Sequence, residues 1–240
     1  MIWNFNNTGF NSGQYNMDYD MELVKNCKPD EGYFRLYRWK PYCISLGANQ
    51  KEDSIDAEKA KKDGIDLVRR PTGGRAILHS EEQTYSVIIS LSCGLTAVQI
   101  YEKINYALLN GLRKYNPKFN GAELEKKQPD FHTFYKQEKS VVCFANSAKS
   151  EIKYDGKKLV GSAQRKLDKV VLQHGSILCG SHHKTISEYL NLSEKNKEFL
   201  YEELNKGTIE VDNIINGKTD YDALGEAIMQ GFKEFWDINN

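Results

Sequence analysis

Residues 69–79 read RRPTGGRAILH, and this stretch sets the framework for the rest of the chain. Strand-like segments flank it, with Ile65 to Val68 before it and Thr84 to Ser90 after it. The second segment is apolar enough to occupy the centre of a sheet. Two adjacent glycines let a backbone approach a ligand closely and present bare N–H donors. The stretch therefore predicts either a ligand-binding glycine loop or an ordinary glycine turn flanked by surface arginines.

The polar groups of this stretch suit an anionic or carrier-linked ligand. Arginines bind carboxylates and phosphates in forked geometry. The spacing matches neither G-x-G-x-x-G nor G-x-x-x-x-G-K-[ST], so nucleotide binding does not follow. The binding candidates here are Arg70, Gly73, Gly74, Arg75 and His79.

Helical and extended patterns alternate along the remaining chain. Apolar residues at spacings of three and four predict helices after Ser12 (Met17, Met21 and Val24), after the Thr96/Gln99 capping box, and from Tyr221 to Phe235. Further strands are expected at 33–36, 42–46, 76–79, 151–154, 158–164 and 170–178, a short helix at 56–62, and a polar, irregular, mobile connection at 116–140. Mixed strands and helices with hairpins predict an α+β domain.

Composition limits the classes of protein that remain. The 240 residues carry 33 basic and 33 acidic side chains, and this zero net charge argues against a nucleic-acid binder. No stretch reaches the ~18 apolar residues of a membrane span. The N-terminal residues have no secretory pattern, so a reducing cytoplasm is expected. The five cysteines are odd in number and lack a C-x-x-C pair, so neither disulfides nor a zinc site are expected.

Domain organisation is expected to be simple. No Pro/Gly/Ser-rich linker divides the chain, so residues 1–240 are interpreted as one catalytic domain. Its core would span about residues 2–180 and a helical tail about 184–240. We expect a monomer.

Cys143 is the candidate nucleophile, although an isolated cysteine between apolar neighbours is more often part of a core. Lys158 follows fifteen residues later in a glycine-rich strand block. A lysine ammonium beside a thiol lowers the thiol pKa and favours the thiolate. His174 is either a base or a half-buried strand histidine. Cys179 is the alternative nucleophile, because it follows the His174 strand.

Several separated blocks resemble one known superfamily. The blocks include 69–79, EQTYSV at 82–87, VCF at 142–144, GKKLVGSAQ at 156–164 and LQHGS at 172–176. Together they resemble the biotin/lipoate protein ligase superfamily, and within it the lipoate-ligase-like octanoyltransferases (the LipM type). The matching blocks run in order from about residue 2 to 180.

The resemblance implies a mixed sheet with helices on one side. It implies octanoyl transfer from octanoyl-acyl carrier protein to a lysine of the glycine cleavage H protein or of a dehydrogenase lipoyl domain. Cys143 would form the acyl thioester and Lys158 would lower its pKa, with no cofactor and no metal. The binding residues that the resemblance adds are Gly161, Ser162, Ala163, Gln164, His174 and Gly175. We also expect Arg35, Arg70 and Arg75 to steer the acidic carrier protein.

Departures from the pattern leave alternatives open. Lys149-Ser150-Glu151 replaces the Arg-Asn-Asp-like stretch of ATP-using lipoate ligases, which disfavours adenylation. Ser80 and Ala145 stand where the family often has aspartate. Three other activities are compatible with the residues: an octanoyl-H-protein amidotransferase, an ATP-dependent lipoate-protein ligase, and a non-catalytic lipoyl-domain binding protein.

Overall fold

A computed structural model describes residues 1–125 and 151–238. The strands are β1 Ile2–Asn11, β2 Glu31–Trp39, β3 Cys43–Leu46, β4 Asp66–Arg69, β5 Ile77–His79, β6 Glu82–Ser90, β7 Ala122–Leu124, β8 Ile152–Tyr154, β9 Lys157–Lys158, β10 Val160–Leu167 and β11 Val170–Leu178. The α-helices are α1 Gly13–Asn26, α2 Ala57–Lys62, α3 Ala97–Tyr115, α4 Glu194–Gly207, α5 Val211–Ile215 and α6 Tyr221–Phe235. Short 3₁₀ helices occupy Glu52–Ser54, Leu91–Cys93, Pro117–Gly121 and His182–Tyr189.

The principal sheet has five strands in the order β1-β2-β6-β11-β10. β1 pairs in parallel with β2, and every other pair in the sheet is antiparallel. β6 lies at the centre, as predicted for Thr84 to Ser90, and all nine of its residues are buried. The sheet is mixed and the class is α+β, so the expected fold class is confirmed.

Two three-stranded sheets complete the β structure. β3 lies between β4 and β5 in one of them, and the glycine loop is the connection from β4 to β5. The other has the order β7-β8-β9. The isolated pairing of Lys158 with Thr208 ties β9 to the segment that follows α4.

Helices lie on both faces of the principal sheet, rather than on the one side that the resemblance implied. Helices α3 and α6 cover one face, where their apolar residues join Phe34, Leu36 and Tyr85 in the main core. Helix α1 lies on the other face, where the Asp20 carboxylate accepts a hydrogen bond from Ser86 of β6 at 2.8 Å. The face of α1 that packs on the sheet carries the charged Asp20, which is fully buried, whereas the apolar Met21 is 38% exposed. The predicted helix is confirmed, but of its three spaced apolar residues only Met17 is buried, Val24 is partly buried and Met21 faces solvent.

Local signals predict the helix ends well. The Thr96 hydroxyl accepts from Gln99 N–H and the Gln99 side chain accepts from Thr96 N–H, so the expected capping box is present. Ser12 caps α1. The predicted spacing of α6 is also confirmed, because its Leu224, Ile228 and Phe232 are fully buried.

Two regions differ from the expectation. The sequence pattern does not predict β1, because four asparagines interrupt its alternation; Trp3 nevertheless packs on Phe232 at 4.9 Å between ring centroids. The connection expected to be irregular and mobile from residue 116 contains a 3₁₀ helix and β7, with Phe119 and Ala122 buried in the main core. The expectation is thus wrong for 117–124, and residues 126–140 lie outside the described part of the chain.

Candidate active site

A mostly apolar pocket lies between the principal sheet, α1 and the small β3–β5 sheet. Its lining contains seven of the predicted site residues: Arg70, His79, Gly161, Ser162, Ala163, His174 and Gly175. Residues far apart in the sequence, at 70–79 and 161–175, therefore meet at one cavity.

The His79 imidazole forms part of the pocket wall and is held on three sides. Its Nε2 lies 2.8 Å from Ser45 Oγ and its Nδ1 lies 2.8 Å from Glu82 Oε1. The ring stacks on Trp39 with centroids 4.0 Å apart. These contacts direct the polar atoms of His79 into the wall and leave apolar surface toward the cavity.

Glu82 is a buried carboxylate that the sequence pattern did not single out. Burial raises its pKa, but the facing His79 and hydrogen bonds from Ser176 and Thr84 outweigh that and lower the pKa overall. The Ser176 and Thr84 hydroxyls each donate to Glu82 Oε1 at 2.6 Å. The carboxylate thus organises the polar groups of three strands around the cavity.

The buried Arg70 side chain holds the backbone of the glycine loop in place. Its guanidinium donates to the carbonyl oxygens of Ser45 at 2.9 Å, Gly73 at 2.9 Å and Arg75 at 2.7 Å. Gly74 adopts a φ of +99°, a conformation that glycine tolerates best. Gly73 and Gly74 remain exposed, and Arg75 is partly exposed.

The burial of two arginines corrects the steering hypothesis. Arg35 is fully buried and Arg70 is 3% exposed. Arg35 Nη1 lies 2.8 Å from the buried Asp20 carboxylate. Steering of a partner needs charges that face solvent, so the hypothesis is wrong for Arg35 and Arg70.

His174 connects the principal sheet to the glycine loop. Its Nε2 lies 2.6 Å from Thr72 Oγ1, and its Nδ1 lies 3.8 Å from Asp20 Oδ2. Burial lowers the pKa of His174, although Asp20 opposes that shift. The ring is therefore held neutral near pH 7 and serves as a hydrogen-bonding link between β11 and the loop.

The β10 residues divide between the two faces of the sheet. Gly161 and Ala163 share the face of His174, whereas Ser162 and Gln164 point toward α3. Ser162 Oγ lies 2.7 Å from the Tyr85 hydroxyl. Gln164 donates to the Ala97 carbonyl and is not part of the pocket lining. It is the only β10 candidate of the four that the structure places away from the cavity.

Gly175 is glycine because three groups crowd it. A Cβ there would lie 2.3 Å from the Gly161 carbonyl oxygen and 2.9 Å from the Tyr85 ring. Any side chain would push β10 away from β11, so the close strand approach beside the pocket requires glycine.

Lys158 is buried and forms an ion pair with Glu151 at 3.0 Å. The other oxygen of that carboxylate accepts from the Ser162 N–H at 3.2 Å. Lys158 is thereby linked through Glu151 to the backbone of the pocket wall. In the sequence, Glu151 stands out only as a departure from the ATP-ligase pattern, which gives no sign of this partnership.

Cys143 lies outside the described residues, so the structure does not place it. Cys179 is fully enclosed in the main core, and burial raises the pKa of its thiol to about 12. Burial likewise raises the pKa of Cys43 well above its usual value. Both buried thiols are held protonated near pH 7, which argues against Cys179 as the nucleophile.

Asp20 and Ser45 are further site residues that sequence reasoning missed. A detectable signal existed for Asp20: it stands three residues after Met17 and four after Asn16, on the same helical face. The role of Ser45 could not be assigned from the sequence, because it arises only from contacts with His79 and Arg70.

No helix within 1–125 or 151–238 is long and apolar enough to cross a membrane. Across the same residues, no group of three His, Cys, Asp or Glu side chains is arranged to hold a metal ion.

The fold and its apolar pocket define a ligase-type catalytic domain, and residues 12–233 match the family described as lipoyl protein ligase A/B catalytic domain. The chain belongs to this family. Similar proteins include octanoyltransferase LipM of Staphylococcus aureus, 34% identical over 97% of this chain and 86% of the relative. The octanoyltransferase LipM of Clostridioides difficile is 34% identical, and the match covers 85% of this chain and 75% of the relative's length.

Solved structures agree in fold. A bi-partite lipoate protein ligase from Thermoplasma acidophilum, studied with its E2 lipoyl domain, has a TM-score of 0.76 at 20% identity, covering 100% of this chain and 86% of that one. A lipoate-protein ligase A bound with ATP has a TM-score of 0.75 at 21% identity, covering 99% and 86%. The ligase-like fold implied by the resemblance is thereby confirmed.

Proposed function

We propose that this protein is an octanoyltransferase of lipoate biosynthesis that carries the acyl group on Cys143. The observation that carries the proposal is the buried apolar pocket beside the Lys158–Glu151 pair. Seven buried methylene-sized units at ~0.8 kcal/mol each supply several kcal/mol of binding free energy for a C8 chain. The LipM relatives support the octanoyl group as the cargo. We further propose that residues 1–240 act as one catalytic domain.

The reaction needs no external energy source, because a thioester is already activated. The Cys143 thiolate adds to the octanoyl carbonyl of octanoyl-acyl carrier protein. The tetrahedral intermediate collapses with loss of the carrier thiolate, which takes up a proton, and leaves an octanoyl thioester on Cys143. A neutral lysine amine of the acceptor then adds to that carbonyl, loses a proton and expels the Cys143 thiolate. This is covalent catalysis in two thioester-based steps.

Lys158 is proposed to stabilise the Cys143 thiolate. Its ammonium is desolvated, so a nearby anion would interact with it strongly. Glu151 holds the lysine in place while it also fixes the Ser162 backbone. Backbone N–H groups of Gly73 and Gly74 are candidate donors to the oxyanion. Gly161, Ala163 and His174 would line the acyl chain, and Arg75 remains a candidate contact for the carrier.

The acceptor is a lipoyl-accepting protein. The finer proposal is that it is the glycine cleavage H protein or a lipoyl domain of a 2-oxo acid dehydrogenase, and that the transferase works as a monomer. No nucleic acid or membrane partner is proposed, and the expected setting is the cytoplasm. The Thermoplasma ligase studied with its E2 lipoyl domain supports a lipoyl domain as the type of acceptor.

The test is the intact mass of the protein after incubation with octanoyl-acyl carrier protein without ATP. A gain of one octanoyl group that hydroxylamine removes is expected for wild type and for Cys179→Ala, and none for Cys143→Ala. Adding H protein should then discharge the group onto an acceptor lysine. A label that persists in Cys143→Ala but disappears in Cys179→Ala would overturn the assignment.

Donor identity separates the alternatives. Acylation from octanoyl-H protein but not from the carrier protein would identify an amidotransferase. Dependence on ATP and free octanoate would identify a ligase. Binding of a lipoyl domain with no acyl-enzyme under any of these conditions would identify a non-catalytic binding protein.

A further inference from the structure

The pocket lining changes in burial from one end to the other. Ile77, Gly161, Ala163 and Gly175 are partly exposed and lie at its mouth. The lining also contains buried residues from α1 and β2, namely Met17, Tyr37 and Trp39. These three belong to one buried cluster with Cys43 and Val68. We call Met17, Tyr37 and Trp39 the end wall, because they bound the cavity on the buried side formed by α1 and β2.

Two of these three end-wall side chains are fixed by polar contacts. The Trp39 indole N–H donates to Thr84 at 2.7 Å and its ring stacks on His79. The Tyr37 hydroxyl lies 3.3 Å from the Asp20 carboxylate, and the Arg35 guanidinium covers its ring at 4.0 Å. These contacts fix the positions of the Tyr37 and Trp39 side chains, so neither can move far to change the space in the pocket.

Met17 differs from both of these neighbours. It is an unbranched, polarizable side chain that adapts to irregular space. It is 5% exposed and reaches the cavity from α1, whereas Tyr37 and Trp39 reach it from β2. Among the buried residues that line the pocket in the described part of the chain, Met17 alone has a flexible aliphatic side chain.

We propose that Met17 sets the length of the acyl chain that this pocket accepts. This inference rests on the proposed octanoyl transfer and adds the residue that decides its chain length. A shorter side chain at 17 opens space for further methylenes, and a bulkier one displaces the end of the C8 chain. Each added buried methylene is worth about fourfold, so two supply about a fifteenfold change.

The experiment compares kcat/KM for hexanoyl-, octanoyl- and decanoyl-acyl carrier protein in Met17→Ala, Met17→Leu and Met17→Phe. The decanoyl-to-octanoyl ratio is expected to rise about tenfold or more in Met17→Ala and severalfold in Met17→Leu. In Met17→Phe the hexanoyl-to-octanoyl ratio is expected to rise by a similar factor. The ratio is taken on one preparation, so a loss of folded protein cancels.

Met21→Ala is the matched control. It removes the same side chain from the same helix at a position that is 38% exposed, and it should leave both ratios unchanged. If Met17→Ala does not fold, the leucine and phenylalanine variants carry the test. Ratios within twofold of wild type in every folded Met17 variant would overturn the proposal.

Failure of the Met17 proposal can be told apart from failure of the proposed octanoyl transfer. If wild type transfers no acyl group from any carrier protein, octanoyl transfer fails, and Met17 is then tested by thermal stabilisation with free octanoate and decanoate. A decanoate preference that appears in Met17→Ala would support the length assignment on its own. The same preference in wild type and Met17→Ala would overturn it.

Discussion

Replacement of Arg35 by methionine tests how the α1 face of the sheet is held together. Arg35 is fully buried and its guanidinium donates to Asp20 Oδ1 at 2.8 Å, Asn16 Oδ1 at 2.6 Å and Thr8 Oγ1 at 3.0 Å. Methionine retains much of the volume but removes the charge. The Asp20 carboxylate would then be an unpaired buried anion beside the pocket.

The expected cost follows from that unpaired charge. Breaking a buried ion pair by removing one partner typically costs 3–5 kcal/mol, within a total stability of about 5–15 kcal/mol for a domain. For a chain of this size the shift in Tm is about 6–20 °C. Asp20→Asn combined with Arg35→Met should recover part of the loss, because the double variant contains no buried charge at this pair.

Urea unfolding followed by tryptophan fluorescence measures the free energies for the full double-mutant cycle. Lys197→Met is the control, because Lys197 pairs with Glu194 at 2.9 Å on the surface, where that carboxylate is 90% exposed. Exposed pairs contribute about 0–1 kcal/mol. An Arg35→Met variant that loses no more than Lys197→Met would refute the claim that this ion pair holds α1 against the sheet.

Three further outcomes are expected. Gly175→Ala should lose about 1–3 kcal/mol of unfolding free energy and most octanoyl transfer, because the new Cβ would lie 2.3 Å from the Gly161 carbonyl oxygen. The control Gly207→Ala, which has open space around it, should keep both its stability and its activity. Cys179→Ala should keep the hydroxylamine-labile acyl mass, and loss of that mass would contradict the thiol assignment. The pKa of His174 is lowered from 6.5 in the folded state, so on acidification the unfolded chain binds this proton before the folded chain does. The free energy of unfolding therefore falls as the pH drops below about 6.5. In His174→Gln the fall between pH 7 and 5 should be smaller, and a pH profile identical to that of wild type would refute the role of His174 burial.

Local physics makes the elements predictable from the sequence. The Thr96/Gln99 capping box and the 3- and 4-residue spacing of apolar side chains depend on contacts within one turn of helix, and both α3 and α6 follow them. The largely apolar Tyr85–Ile89 segment of β6 predicts burial, and β6 lies at the sheet centre. The blocks at 69–79 and 156–176 likewise indicate the family through the identity and order of their residues, which need no knowledge of tertiary contacts.

Long-range packing decides which side chains are buried where the local sequence pattern does not. Arg35, Arg70 and Asp20 carry charges that sequence rules place on the surface. Arg35 and Asp20 are instead buried as an ion pair between β2 and α1, and Arg70 is buried with its guanidinium donating to the Ser45 carbonyl of β3. Met17 and Met21 are chemically identical and four residues apart, yet one faces the cavity and the other solvent. The sequence by itself determined the helices, the central strand and the family, since these depend on neighbouring residues. Only the tertiary structure decided which side chains form the pocket, because that depends on strands and a helix that are distant in the chain.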